Sequence, residues 1–264
     1  MSKLLVKPKQ GTGHIVHVTP ESAGWTYVGF DVWKLAPGTS AKDKLAGAET
    51  CLVFITGKGK VKAGGKDLGE LGGRTSPFEG KPWSVYVPAG MDWSVMATTP
   101  VELAVCSSPG TGKLPLRVIG PDELGQETRG KGTNTRHVTN ILPEGEPAES
   151  LLVVEVITPG GHTSSYPPHK HDKDDLPRES LLEEVYYHRI NPAQGFAFQR
   201  VYTDDRSLDE AMAVEDGDVT LVPKGYHPCA ATHGYDLYYL NVMAGPKRTW
   251  KFYNAPEHAW LLAQ

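Results

Sequence analysis

The chain repeats itself, and the repeat leaves little freedom in how it folds. VYVPAGMDW at Val85–Trp93 is echoed by TLVPKGYHP at Thr220–Pro228. Pro88 and Pro223, Gly90 and Gly225, and Asp92 and His227 all stand 135 residues apart, and the same offset carries Glu49 onto Glu184. Upstream, FDVWKLAPG at Phe30–Gly38 matches LVVEVITPG at Leu152–Gly160 at an offset of 122, so the second copy holds 13 extra residues, His169 and His171 among them. A period of this length means one structural plan used twice. It implies two β-barrel-like halves, 1–120 and 135–264, joined by the polar, Gly-rich segment 120–134.

The plan is a β plan. Twenty-nine glycines and 21 prolines in 264 residues punctuate the chain too densely for long helices. Runs rich in β-branched and aromatic residues lie between these breaks: Tyr27–Leu35, Cys51–Thr56, Trp83–Val87, Glu102–Cys106, Leu151–Thr158, Glu184–Ile190, Gly195–Tyr202, Asp218–Val222 and Asp236–Ala244. Helical signal is confined to Pro121–Leu124, Pro177–Leu182, Ser207–Met212 and the tail around Pro256–Leu262. An all-β architecture with small helical additions follows.

Charge and hydropathy exclude several partners. Lys plus Arg total 27 against 31 Asp plus Glu, a net charge of −4, so there is no basic field for a nucleic-acid backbone. No apolar run approaches the ~18–20 residues of a membrane span, and MSKLLVKPKQGTGH lacks the apolar stretch of a signal peptide. A cytoplasmic protein is expected. Cys51, Cys106 and Cys229 are scattered, with no CxxC, and read as buried small hydrophobes rather than as a disulfide framework or a thiolate zinc site.

The second half carries the chemistry. PPHKHD sets His169 and His171 two apart, which on an extended strand aims both imidazoles to one face, about 7 Å apart along the chain. Glu184 opens the strand EEVYYHRI, and the repeat selects it over Glu183. His227 follows a Pro-Gly turn able to reverse the backbone and aim the ring inward. Three neutral imidazoles and a carboxylate suit a divalent first-row ion, Zn²⁺ foremost, with Mn²⁺ or Fe²⁺ as alternatives. The first half has Glu49 and Asp92 at the corresponding positions and no histidine between Pro37 and Glu49, so its ligand set is degenerate.

The order HxH, strand-opening Glu, then Gly-x5-Pro-x-Gly-x-His over Gly217–His227 resembles the paired motifs of the cupin superfamily. SSYPPHKHD, EEVYYHRINPAQGFAFQRVYTDD, GDVTLVPKGYHP and GYDLYYLNVMAGPKRTWKFYNAPEHAW resemble the 5-deoxy-glucuronate isomerases of inositol catabolism more closely, with the 4-deoxy-5-ketouronate isomerases as relatives. The resemblance implies a bicupin, two cupin-type (double-stranded β-helix or jelly-roll) barrels in one chain. It implies a metal held by His169, His171, Glu184 and His227. It further implies conversion of the aldose 5-deoxy-glucuronate to the ketose 5-dehydro-2-deoxy-gluconate. Edge strands of such barrels commonly pair between chains, so a homo-oligomer is expected.

Such a reaction needs a Lewis acid for the developing oxyanion and a carrier for the carbon-bound proton, unless a hydride shifts directly. Tyr186, His188, Asp174 and Asp175 are the candidates for moving the proton. A sugar acid also needs a cation for its carboxylate. Arg200, inside the strand FQRVY, is the first choice, ahead of Arg178, Lys170, Lys224 and Arg248. By alternation Lys170 points away from its flanking histidines. The remaining histidines, His14, His17, His137, His162, His233 and His258, read as structural or surface groups. Three other functions remain compatible with the pattern: a cupin dioxygenase using Fe²⁺, a phosphosugar isomerase, for which no phosphate cradle is apparent, and a non-enzymatic sugar-acid-binding bicupin.

Overall fold

A computed structural model describes residues 2–263; Met1 and Gln264, the outer limits of the two expected halves, lie outside the described residues. The chain is 52% strand and 7% helix, as the density of Pro and Gly requires. It divides into two units: Met1–Lys7 with Gln126–Thr139 and Val154–Gln264, and Pro8–Gly125 with Asn140–Val153. These bounds differ from the 120 and 135 expected from the repeat. Leu5 and Val6 pair with Thr220 and Val219, which draws the N-terminus into the same unit as the second half of the chain.

The unit built mainly from the first half has a six-stranded sheet, ordered Arg117–Ile119, Ser84–Val87, Ala48–Thr56, Val101–Pro109, Gly29–Leu35, Gly13–Val18. A four-stranded sheet, ordered Ser40–Lys44, Asp92–Ala97, Lys58–Ala63, Lys66–Gly72, completes it. Leu52, Phe54, Val61, Val85, Trp93, Val95, Leu103 and Val105 share one core. Lys58–Ala63 was not foreseen as a strand, because its lysines and glycine hide a plain alternation in which Gly59, Val61 and Ala63 are buried and Lys58, Lys60 and Lys62 exposed.

The unit built mainly from the second half has a seven-stranded sheet, ordered Leu5–Val6, Val219–Val222, Glu183–Asn191, Asp236–Ala244, Leu152–Thr158, Arg136–Leu142, Gly125–Arg129. Its four-stranded sheet is ordered Thr163–Ser164, Cys229–Ala231, Phe196–Tyr202, Asp209–Glu215. Four consecutive strands of each larger sheet follow one order, in which Ser84–Val87, Ala48–Thr56, Val101–Pro109 and Gly29–Leu35 match Val219–Val222, Glu183–Asn191, Asp236–Ala244 and Leu152–Thr158. Val154, Val156, Tyr186, Ala197, Val201, Met212, Val214 and Tyr239 fill this unit's core.

Two expected helices are strands. Ser207–Met212 is a turn running into Asp209–Glu215, because the Asp205 carboxylate accepts from the Ser207 amide (3.1 Å) and hydroxyl (2.8 Å), after which Met212 and Val214 alternate inward. Pro177–Leu182 is a turn running into the strand Glu179–Leu181, which pairs with Asp172–Asp175. Pro121–Glu123 and Pro256–Ala263 are 3-10 helices. The three cysteines are free and buried, and among the described residues no helix is long and apolar enough to cross a membrane.

Candidate metal centre

Three of the four expected ligands converge. His171, Glu184 and His227 are buried, with ligand atoms all within 4.8 Å of one another. Each arrives from a separate stretch: His171 just after the short strand His169–Lys170, Glu184 near the start of Glu183–Asn191, and His227 after the turn that follows Val219–Val222. Gly225 makes that turn possible. Its φ is +90°, and a side chain there would strike the Tyr202 carbonyl at 2.4 Å.

The tautomers of the two rings decide what sits between them. His171 Nδ1 lies 3.0 Å from the Leu182 carbonyl and His227 Nδ1 2.8 Å from the Gly225 carbonyl. A carbonyl only accepts, so both Nδ1 atoms carry a proton, and in the neutral rings both Nε2 atoms present lone pairs. Those lone pairs face Glu184 Oε2, at 2.8 Å from His171 and 3.0 Å from His227. A carboxylate ringed by lone pairs is repulsive unless a cation stands among them, and His227 Nε2 has no hydrogen-bond partner in this structure. The donor set thus fits a divalent ion. Burial opposes charge on Glu184, yet positive charge on the imidazoles beside it holds its carboxyl well below the usual range, and against the same burial Glu184 raises the pKa of His171; positive charge at this place, from a proton or an ion, is what the carboxylate requires. Asn241, on Asp236–Ala244, donates its amide to the other Glu184 oxygen. Sequence reasoning passed over Asn241, and its signal was a lone amide in the apolar run DLYYLNVMA.

His169 is not one of this group of three, although its ring lies as near His227 as that of His171 does. Its ring centroid is 5.1 Å from that of His227 and 6.4 Å from that of His171, and it packs on Phe252 at 4.6 Å. Burial, reinforced by His227 and His171, pushes its pKa far down, so the ring is neutral. Lys170 points the opposite way and is buried, its Nζ 2.6 Å from Asp172 Oδ1 and 3.1 Å from Glu179 Oε1. Asp172 Oδ2 in turn accepts from the Gly225 amide at 2.9 Å. This ionic knot ties the His169–His171 segment to the turn that presents His227.

A small cavity, about 30 Å³, opens beside the group and is lined by His169, Glu184, Tyr186 and Arg136 among others. It has room for an ion's waters but not for a six-carbon acid. The Tyr186 hydroxyl lies 2.8 Å from Ser165 Oγ and that of Tyr239 2.6 Å from Ser164 Oγ. Burial raises both phenol pKa values far above neutrality, so both hydroxyls keep their protons.

The expected carboxylate cation is elsewhere. Arg200 lies on the outward side of Phe196–Tyr202, where alternation exposes it, and forms a two-pronged ion pair with Asp209 at 2.8 and 2.7 Å. The inward neighbour is Gln199. Arg129 and Arg136 line the cavity instead. Arg136 donates only to Asn134, at 3.1 and 3.3 Å, with no carboxylate in salt-bridge range among the described residues, and burial lowers its pKa. His188 also falls outside the cavity lining. It is fully buried, its Nε2 3.0 Å from Gln199 Oε1 and 3.1 Å from Thr220 Oγ1, with its ring stacked 5.9 Å from that of Tyr186. Asp174 and Asp175 are exposed, paired with Lys247 and Arg178.

The fold and this site define a bicupin with a His/Glu/His metal-ligand group in one of its barrels. The oxalate decarboxylase of Lactobacillus farciminis shares the fold at a TM-score of 0.68, with 14% identity over 100% of this chain and 91% of that one. The match narrows from there: residues 4–261 fit the KduI/IolB family model, and the chain belongs to that family. The 5-deoxy-glucuronate isomerase of Geobacillus kaustophilus is 56% identical over 99% of this chain and 96% of its own, and that of Bacillus subtilis strain 168 is 49% identical over 99% of each. The crystal structure of an IolB-like protein from Salmonella typhimurium LT2 superposes at a TM-score of 0.96, with 55% identity over 98% of this chain and 99% of that one.

Proposed function

We propose that this chain isomerises 5-deoxy-glucuronate to 5-dehydro-2-deoxy-gluconate in inositol catabolism, using a divalent ion, foremost Zn²⁺, held by His171, Glu184 and His227 with His169 as fourth ligand. The observation that carries the reading is one cavity lined both by Glu184, the carboxylate that His171 and His227 approach, and by a half-buried guanidinium, Arg136, with no carboxylate in salt-bridge range among the described residues. When bound, the ion supplies Lewis acidity toward the carbonyl and adjacent hydroxyl of the sugar. Arg136, aided by Arg129, takes the substrate carboxylate in a charge-assisted hydrogen bond and thereby sets which end of the sugar meets the metal ligands. The Tyr186 and Tyr239 hydroxyls, kept protonated by burial, donate to substrate oxygens as charge develops. His188 acts from behind, packing the Tyr186 ring in place. Because the cavity is small, the Arg129–Trp250 pair, 5.0 Å from cation to ring, shifts aside when the sugar binds.

His169 has a second reading, favoured by its place in the cavity lining and outside the group of three: a neutral imidazole facing the cavity that accepts the carbon-bound proton. The test of both is a proton NMR time course of 5-deoxy-glucuronate in D₂O. Wild type converts the aldehyde to the ketone, and chelation stops it; a metal-loaded protein that leaves the sugar unchanged overturns the proposal. H169Q separates the readings. Loss of the ion marks a ligand, whereas retained metal with lost deuterium incorporation marks the proton acceptor.

A further inference from the structure

The first-half unit holds a second convergence of metal-ligand side chains, far in sequence from the cupin motifs. His14 Nε2 and His17 Nδ1 lie 2.8 and 2.6 Å from the same oxygen, Asp31 Oδ1. Regular alternation would send residues three apart to opposite faces of a strand. Here the strand Gly13–Val18 is irregular, its register against Gly29–Leu35 shifting between His14 and Val16. Ile15 and Val16 are consecutively buried, and that one-residue slip returns His17 to the face of His14. Asp31 is the register partner of His17, and the His14 ring is fixed by stacking on Trp33, centroids 4.3 Å apart and planes 5° apart. The strand is at the edge of its sheet, so the group is open on one side.

We propose that His14, His17 and Asp31 form a second binding site for a divalent transition-metal ion, Zn²⁺ in the first instance. Two imidazoles and a carboxylate are the ligand types such an ion takes, with water completing the shell. At metal–ligand distances of ~2.0–2.1 Å a tetrahedral shell sets its ligand atoms ~3.3 Å apart. The observed 2.6 and 2.8 Å therefore need to widen by less than an ångström, which side chains only partly buried can do. Binding moves the ring protons now donated to Asp31 onto His14 Nδ1 and His17 Nε2, which leaves lone pairs on His14 Nε2 and His17 Nδ1 for the ion. His17 and Asp31 also line a cavity of about 350 Å³. Glu21 and Asp43 line it too, with no Lys or Arg, so its field favours a cation. The open coordination positions stand at the edge of that cavity, where an oxygen-bearing ligand could complete them.

The site is independent of the one in the other unit, so the test uses variants of both. The full chain is stripped with chelator, dialysed against micromolar Zn²⁺, and its bound zinc measured by mass spectrometry. The expected result is two ions per chain for wild type and one for H17A. H171A also holds one, and H17A/H171A holds none. H17A keeps wild-type isomerase activity and circular dichroism. H17Q, which retains a hydrogen bond to Asp31 but offers no ligand nitrogen, repeats the loss if the alanine variant misfolds. Wild type that binds a single ion lost in H171A and kept in H17A overturns the site, as does H17A or H17Q with two ions; loss of no ion in H171A tells instead against the cupin centre.

Discussion

Glu49 and Glu184 occupy matching places in the repeat, both are buried, and their surroundings differ completely. Around Glu49 everything donates. The amides of Glu149, Ser150 and Leu151 reach it at 2.7, 2.6 and 2.6 Å, the Tyr86 hydroxyl at 2.5 Å and that of Ser108 at 3.2 Å. Around Glu184 two imidazoles bring Nε2 atoms to one oxygen, at 2.8 and 3.0 Å, and present lone pairs to it when neutral, while Asn241 donates to the other oxygen. A buried carboxylate saturated by N–H and O–H groups is complete as it stands. One met by lone pairs is complete only with a cation. The same residue at the same repeat position is thus a structural clasp in one unit and a member of the group that could hold a metal in the other, and Asp92, exposed where His227 is buried, shows that the first unit's partner position has left the interior.

The contrast can be broken at several points. Glu184→Gln removes the carboxylate charge between the imidazoles; isomerase activity is expected to fall by roughly 10³-fold, the several kcal/mol that Lewis-acid stabilisation supplies, together with loss of the centre's ion, as read by steady-state rate and metal analysis. Glu49→Gln turns an amide donor toward a ring of donors. It should cost about 3 kcal/mol of stability by urea unfolding while leaving metal and rate per folded chain intact. An activity loss larger than the folded fraction explains would erase the distinction between the two carboxylates.

Arg136→Ala sharpens the account on the substrate side. KM for the sugar acid should rise about 10–100-fold, the ~1.5–3 kcal/mol of a hydrogen bond to a charged group, with kcat changed less. Arg200→Ala, on the outer face, should change KM by less than a factor of two.

His188 gives a pH-dependent effect of similar or smaller size. Burial lowers its pKa to about 4 from 6.5, so the unfolded chain takes up its proton first as pH falls. The stabilisation is complete above pH 6.5 and is lost progressively toward pH 4, amounting to at most about 3 kcal/mol. His188→Gln should flatten that part of the stability profile, measured by denaturant midpoints at each pH.

The all-β plan and the clustering of His171, Glu184 and His227 were legible because they rest on local pattern. Pro-Gly turns, strand alternation and a 135-residue offset locate Glu184 and His227 without any knowledge of packing. What escaped depends on non-local facts. Arg200 and Gln199 are neighbours on one strand, and only the pairing of that strand shows which faces inward. Arg136 lies at the start of the expected second half, in a segment not read as a strand, yet its strand joins the seven-stranded sheet and carries the guanidinium to the cavity. His14 and His17 read as structural or surface groups because their common face exists only through an irregularity of register that no periodicity announces.

Anomalous diffraction from crystals of the zinc-loaded protein tests the central contrast most directly. The account predicts a strong peak within coordination distance of His171 Nε2, His227 Nε2 and Glu184 Oε2, and none beside Glu49. A peak at Glu49, or no density among His171, Glu184 and His227 in crystals of zinc-replete protein, would contradict it.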